Sequence, residues 1–189
     1  MNLPTILRIQ ARANRLANHR LHTAMHPLSR GELHTPRAGF FPSLIATLNH
    51  ILGVDRYYVG ALHGDPDLAG HWDRFMPDDD LPALAERQRA VDERLIVFCD
   101  ALDAADCDRV VDMPRGEGRV QRDCAAHVLQ HLAMHQTHHR GQVHAMLSAT
   151  AVAPPQLDEF LMPSEPHLRV PDMAALGWSE AQVYGTGVP

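Results

Sequence analysis

The sequence predicts an all-α protein: an up-down-type four-helix bundle with a small β-hairpin before the fourth helix and short C-terminal helices. Four long segments carry apolar residues at three- and four-residue steps, which is typical of helices that bury one face. Strand-like alternation is nearly absent, and stretches rich in Pro, Gly and Asp separate the segments. At 189 residues the chain fits a single domain, which we expect to span residues 1–189.

The first three helices are bounded by recognisable stop and start signals. The first is predicted over roughly residues 5–25, before "HPLSRGELHTPRAG", and the second over roughly 41–62, before a loop with glycine, proline and an acidic run. The third begins near Leu81, because Asp80 is a candidate N-cap and Pro82 suits an early helical position.

A short hairpin is predicted between the third and fourth helices. Val110, Val111 and Met113 face Val120 across a turn that contains proline and glycine. The fourth helix is expected over residues 123–148, with an aspartate at its start. The tail segments "LDEFLMP" and "DMAALGWSEAQVY" predict two short helices that pack on the bundle.

Composition excludes several classes of protein. The net charge of −6 argues against a dedicated nucleic-acid binder, which would usually present a basic face. Three cysteines without CxxC spacing indicate free thiols in a reducing interior. No apolar run reaches membrane-spanning length and the N-terminus lacks a signal-peptide pattern, so we expect no membrane partner and a cytoplasmic location.

Histidines are concentrated in the fourth helix, in the stretch "HLAMHQTHHRGQVH". At about 100° per residue, His135 and His139 fall inside or beside the apolar arc of this helix. His131 and His138 fall at the margin of the arc, and His144 points away from it. Only His135 and His139 are therefore expected to face the bundle interior.

Two imidazoles one turn apart in an apolar core need partners, because burial of unpaired polar groups costs free energy. One solution is a divalent metal, since histidines at i and i+4 can chelate one ion. The other is a pair of neutral histidines bonded to carbonyls and side chains. A third ligand would come from the second helix, where periodicity leaves His50 ambiguous. Asp55 is a further candidate, as a ligand, as an acceptor behind the ligands, or as a carboxylate paired with an arginine.

The remaining histidines carry a weaker signal. Those of the first helix share one side with three arginines, which predicts a solvated or anion-attracting face rather than a metal site. The members of this group are His19, His22, His26, Arg8, Arg12 and Arg15. The histidines expected in surface loops are His34, His63, His71 and His167.

Two stretches carry a family resemblance: "GFFPSLIATLNHILGVDRYYVGAL" at 39–62 and "HLAMHQTHHRGQVHAML" at 131–147. Weaker matches are "ANRLANHRL" at 13–21 and the tail "ALGWSEAQVYG". In order and spacing the chain resembles the DinB/YfiT-like family of DNA-damage-inducible four-helix metalloproteins. The combination LNH with HxxxHRGQ is fairly specific, whereas HxxxH alone is not.

The resemblance implies a metal site made of His50, His135 and His139, with His131 and His138 as neighbours. Three imidazoles leave a position open for water or substrate, as in catalytic metal sites. Zinc or nickel is the expected ion, with iron or manganese as alternatives.

Some relatives are thiol-dependent S-transferases or isomerases, so a small thiol is an expected substrate, with Arg140 or histidines at the mouth holding its anionic groups. A hydrolase is a second possibility, and a non-catalytic protein with a structural or stress-related metal is the alternative. No general base can be named, and a homodimer is expected.

Overall fold

The computed structural model describes residues 1–185 and is mostly helical. Its helices are α1 (Leu3–Met25), α2 (Arg30–His34), α3 (Leu44–His63), α4 (His71–Arg74), α5 (Leu81–Ala101), α6 (Ala125–Leu147), α7 (Val170–Leu176) and α8 (Glu180–Tyr184). An antiparallel hairpin of β1 (Val110–Pro114) and β2 (Val120–Cys124) precedes α6. This confirms the predicted all-α class with a hairpin before the fourth long helix.

The four long helices pack into one bundle. Helix α1 lies mainly against α5, and α3 lies against both α5 and α6. Their buried faces form a continuous apolar core that the hairpin closes with Val111 and Met113. A second, smaller cluster packs the C-terminal helices on α1 through Leu16, Phe160 and Met173. No helix within residues 1–185 is long and apolar enough to cross a membrane.

Caps explain where the second and third long helices begin. Helix α3 starts at Leu44 rather than at Phe41, because Pro42 disfavours helical geometry at the residue before it and Ser43 accepts a hydrogen bond from the Ala46 amide. Helix α5 begins as predicted, with the side chain of Asp80 accepting from the amide of Ala83.

Two details predicted for the hairpin and for the start of the fourth helix are wrong. Its valines do not share a face: Val110 and Val120 are 63% and 46% exposed, whereas Val111 is buried. The residues predicted to open the fourth helix belong to β2, where Asp123 pairs with Val111, so α6 begins only at Ala125.

The tail differs from the two predicted short helices. "LDEFLMP" forms only one 3₁₀ turn, Glu159–Leu161. "DMAALGWSEAQVY" is divided into α7 and α8 because Gly177 adopts a left-handed conformation with φ 66°, which terminates a helix.

A buried polar network connects all four long helices. Asp92 of α5 accepts hydrogen bonds from Asn14 and Asn18 of α1, each at 3.0 Å. The guanidinium of Arg140 in α6 donates to the side-chain oxygens of the same two asparagines. Gln88 donates to both Asp92 and Asp55, and Gln136 donates to Asp55. The network therefore fixes how α6 is rotated relative to the other helices.

We expect Asp92→Ala to lower the free energy of unfolding by about 3 kcal/mol, because three buried amide donors lose their acceptor. Urea denaturation at neutral pH measures this. The control is Asp100→Ala on the same helix, where the lost partner of Arg12 is half exposed and the expected cost is below about 1 kcal/mol. Equal losses in the two variants would contradict a stabilising role for the network.

Candidate metal site

Three histidines from two helices converge at one end of the α3–α6 contact. His50 comes from α3, and His135 and His139 come from successive turns of α6. One ring nitrogen of each lies within 4.8 Å of the others, and the two Nε2 atoms of His50 and His135 are 2.9 Å apart. The spacing of four residues on α6 places both of its rings on one side, opposite His50.

All three imidazoles are held in the neutral form. Burial, together with the neighbouring histidines, lowers the pKa of His135 to about 3 and that of His50 to about 4. Burial also lowers the pKa of His139. Neutral imidazoles have a lone pair for a metal, so the triad is prepared for coordination near neutral pH.

The donor set fits a divalent ion. In a tetrahedral zinc site with Zn–N bonds of about 2.0–2.1 Å, ligand nitrogens lie about 3.3 Å apart, which requires only a small separation of His50 and His135. Without an ion, one of these two rings must donate its N–H to the other, because two lone pairs facing each other repel. The alternative of a hydrogen-bonded neutral pair is thus also compatible with this contact.

The ring of His139 is oriented by a neighbour on the next turn. Its Nδ1 is bonded to Oε1 of Gln142 at 2.8 Å, which leaves Nε2 free for the site. The amide of Gln142 also lies 3.1 Å from Nε2 of His138. Outer partners of this kind set the tautomer and orientation of metal-binding histidines.

Phe41 covers one face of the triad. Its ring centroid lies 4.3 Å from that of His50 and 5.7 Å from that of His139. Gly39 of the same loop lies close to α6, where a Cβ would come within 2.4 Å of the terminal Cε of Met146. The neighbouring Phe40 is 81% exposed, so the loop also presents an apolar rim.

The other predicted neighbours have distinct positions. His131 lies beside Tyr58, with ring centroids 4.7 Å apart and the rings tilted by 58°, and the hydroxyl of Tyr58 accepts from Arg115 at 2.7 Å. His138 is exposed next to Gln142. His144 points away from the triad and bonds to the carbonyl of Pro155.

Asp55 and Arg140 do not face the triad. Asp55 is fully buried and its Oδ2 accepts from Gln88 at 2.7 Å and from Gln136 at 3.0 Å. It is therefore neither a ligand nor directly paired with an arginine, and its link to the site runs through Gln136, the neighbour of His135. Arg140 lies in the polar network of the core, so the prediction that it holds substrate anions at the mouth is wrong.

The prediction of a solvated face on the first helix is wrong for His22 and Arg15, whereas His26 is exposed and His19 is partly exposed. His22 is buried, and burial lowers its pKa to about 3. Arg15 is buried with it, because this side of α1 packs on the bundle. Among the histidines expected in surface loops, His71 instead opens α4, partly buried, with Nε2 2.9 Å from the carbonyl oxygen of Gly53.

Comparison with known proteins assigns the chain to one family. The family model described as the DinB family matches residues 7–168, which is most of the chain. The chain belongs to the DinB family. No curated protein matches this DinB chain with significance.

Two members of the DinB site were missed by sequence reasoning: Phe41 and Gln142. Gln142 stands three residues after His139, where a helical neighbour reaches the ring, so its position carried a signal. Phe41 lies in an irregular loop whose path depends on the contact of Gly39 with α6, and helical periodicity says nothing about such a segment.

We expect Gln142→Ala to weaken binding of zinc by about 10–100-fold, because the ring of His139 loses the partner that orients it. Competition with a chromophoric chelator measures the affinity. Gln130→Ala, an exposed position on the same helix, is the control and should leave the affinity unchanged. Identical affinities for the two variants would exclude an orienting role for Gln142.

We expect the stability difference between Asp55→Asn and wild type to depend on pH. Burial raises the pKa of Asp55 to about 7, so between about pH 4 and 7 the folded state holds a proton that the unfolded chain releases. The contribution of Asp55 to stability therefore falls as pH rises through this window. The asparagine cannot ionise, so the variant should gain on the order of 3 kcal/mol relative to wild type between about pH 5 and pH 8.

Urea denaturation at several pH values measures this difference, with Asp112→Asn on the exposed face of the hairpin as the control. A difference between Asp55→Asn and wild type that stays constant with pH would show that Asp55 is ionised throughout.

Proposed function

We propose that this DinB protein binds a divalent metal ion through His50, His135 and His139 and uses it as an open catalytic centre for thiol chemistry. The observation that carries the proposal is the convergence of three imidazoles, with ring nitrogens within 4.8 Å of one another and no carboxylate or thiol in the group. Imidazole ligands suit zinc and nickel best among the expected ions, with iron and manganese as alternatives.

An open site supports a catalytic metal over a structural one. Structural zinc sites are usually closed by four protein ligands, whereas this group supplies three. His50 and His135 are only half-buried, so a small molecule can approach them from solvent. When bound, the ion supplies a Lewis acid that lowers the pKa of a thiol or water it holds.

The residues of the chain have separate tasks in this proposal. The imidazoles stay neutral near pH 7, since burial and their mutual proximity disfavour protonation. Gln142 holds the ring of His139 with Nε2 towards the site. Phe41 shields the faces of His50 and His139 from water, which strengthens electrostatic interactions at the centre.

The surroundings favour a thiol over water as the nucleophile. A general base that assists hydrolysis must lie within hydrogen-bond reach of the attacking water. Asp55, the nearest buried carboxyl along α3, is engaged by Gln88 and Gln136, and the hydroxyl of Tyr58 accepts from Arg115. A small thiol has a much lower pKa than water, so it ionises without such a base. The resemblance to thiol-dependent transferases points the same way.

We expect purified wild-type protein to contain about one equivalent of metal in the triad, and His135→Ala to lose it together with any thiol-conjugation activity. Elemental analysis and turnover of low-molecular-weight thiols with a panel of electrophiles measure the two effects. His144→Ala is the matched control, because its imidazole lies on the same helix but is bonded to the carbonyl of Pro155.

The outcome separates the alternatives. Loss of metal and thermal stability in His135→Ala, with no turnover by wild type on thiol or ester substrates, would establish a structural metal instead. Wild type and His135→Ala with the same metal content would contradict the metal site itself. The homodimer, the absence of a nucleic-acid partner and the cytoplasmic location stay predictions.

A further inference from the structure

A second group of metal-binding side chains lies where the hairpin joins α6. Asp123 and Cys124 end β2, and His127 lies in the first turn of α6. One ligand atom of each lies within 4.8 Å of the others. We propose that Asp123, Cys124 and His127 form a second divalent-metal site, distinct from the histidine triad, for a borderline-soft ion such as zinc.

The three side chains offer the three donor types that zinc accepts in proteins: a carboxylate, a thiolate and an imidazole. The thiol of Cys124 gives its proton to solvent when the ion binds, and His127 coordinates in its neutral form, so binding releases a proton. The thiolate sets this site apart from the triad, because sulfur favours zinc and similar ions over magnesium or calcium.

The side chain of Cys124 does not cap the helix that follows it. It occupies the N-cap position of α6, where Ser, Thr, Asp or Asn would accept a hydrogen bond from the first turn, yet its side chain makes no capping bond. It is only partly buried, in contrast to the buried Cys99 and Cys107. The thiol is therefore both accessible and uncommitted.

Small movements would bring the donors to coordination distances. Nδ1 of His127 lies 2.8 Å from Oδ1 of Asp123, whereas oxygen and nitrogen ligands of tetrahedral zinc lie about 3.4 Å apart. The side chains of His127 and Asp123 are 68% and 42% exposed, so they can separate by this amount without disturbing the core.

The two groups cannot share an ion. His127, His131, His135 and His139 follow one another at intervals of four residues along α6. Eight residues separate His127 from His135, which is about 12 Å along a helix. The second site is thus a surface site two turns before the triad, and it does not depend on the function proposed for the triad.

Titration of the metal-free full-length protein with cobalt(II) tests the proposal. A cobalt–thiolate bond produces a near-ultraviolet charge-transfer band, which histidine ligands alone do not produce. We expect the band in wild type and its loss in Cys124→Ser. Asp123→Asn and His127→Gln keep every thiol, and each should weaken the cobalt affinity measured by this band about tenfold or more.

Two controls separate this site from the rest of the chain. His135→Ala should keep the band, so failure of the triad proposal would not affect the result, and Cys107→Ala should keep it as well. Circular dichroism checks that each variant is folded. Absence of the band in wild type, or its full retention in both Asp123→Asn and His127→Gln, would overturn the proposed site.

Discussion

The rest of the structure depends on the polar network inside the bundle. Gln136 and Arg140 each follow a predicted ligand on α6, and both are held in the core by partners on other helices. Because neighbouring residues on a helix point about 100° apart, fixing these two side chains also fixes the direction of His135 and His139. Asp55 of α3 lies about one and a half turns after His50 and accepts a hydrogen bond from Gln136 of α6. The same pair of helices therefore contains residues of both the network and the triad.

This arrangement stabilises the bundle and restrains the site at the same time. Asp55 and Asp92 are both fully buried and both have a raised pKa, and Gln88 bridges them. Buried polar groups are costly unless they are hydrogen-bonded, so the bonds that these side chains make across the helices favour one rotation of each helix over others. Three neutral imidazoles can then meet at the edge of the core without being exposed to the charges inside it.

Much of the fold and the triad could be predicted from the sequence, for definite reasons. Apolar periodicity predicts the four long helices, and the apolar arc of the fourth selects His135 and His139 from the neighbouring histidines. Periodicity alone left His50 open, and only the resemblance selected it. The burial of His22, Arg15 and Arg140 could not be predicted, because their arginine and histidine side chains suggest a solvated face. The contacts of the two arginines lie on other helices, far along the chain: Arg15 faces Glu93, and Arg140 donates to Asn14. The position of Phe41 could not be predicted for a related reason, because it depends on how an irregular loop packs against the helices.

The central claim is that His50, His135 and His139 hold one ion together. X-ray absorption spectroscopy of Cys124→Ser protein loaded with one equivalent of zinc tests it most directly, because this variant removes the only thiolate of the second site. The account predicts three imidazole nitrogens at about 2.0–2.1 Å, with an oxygen ligand completing the shell. A shell of oxygen ligands with one imidazole or none would contradict it.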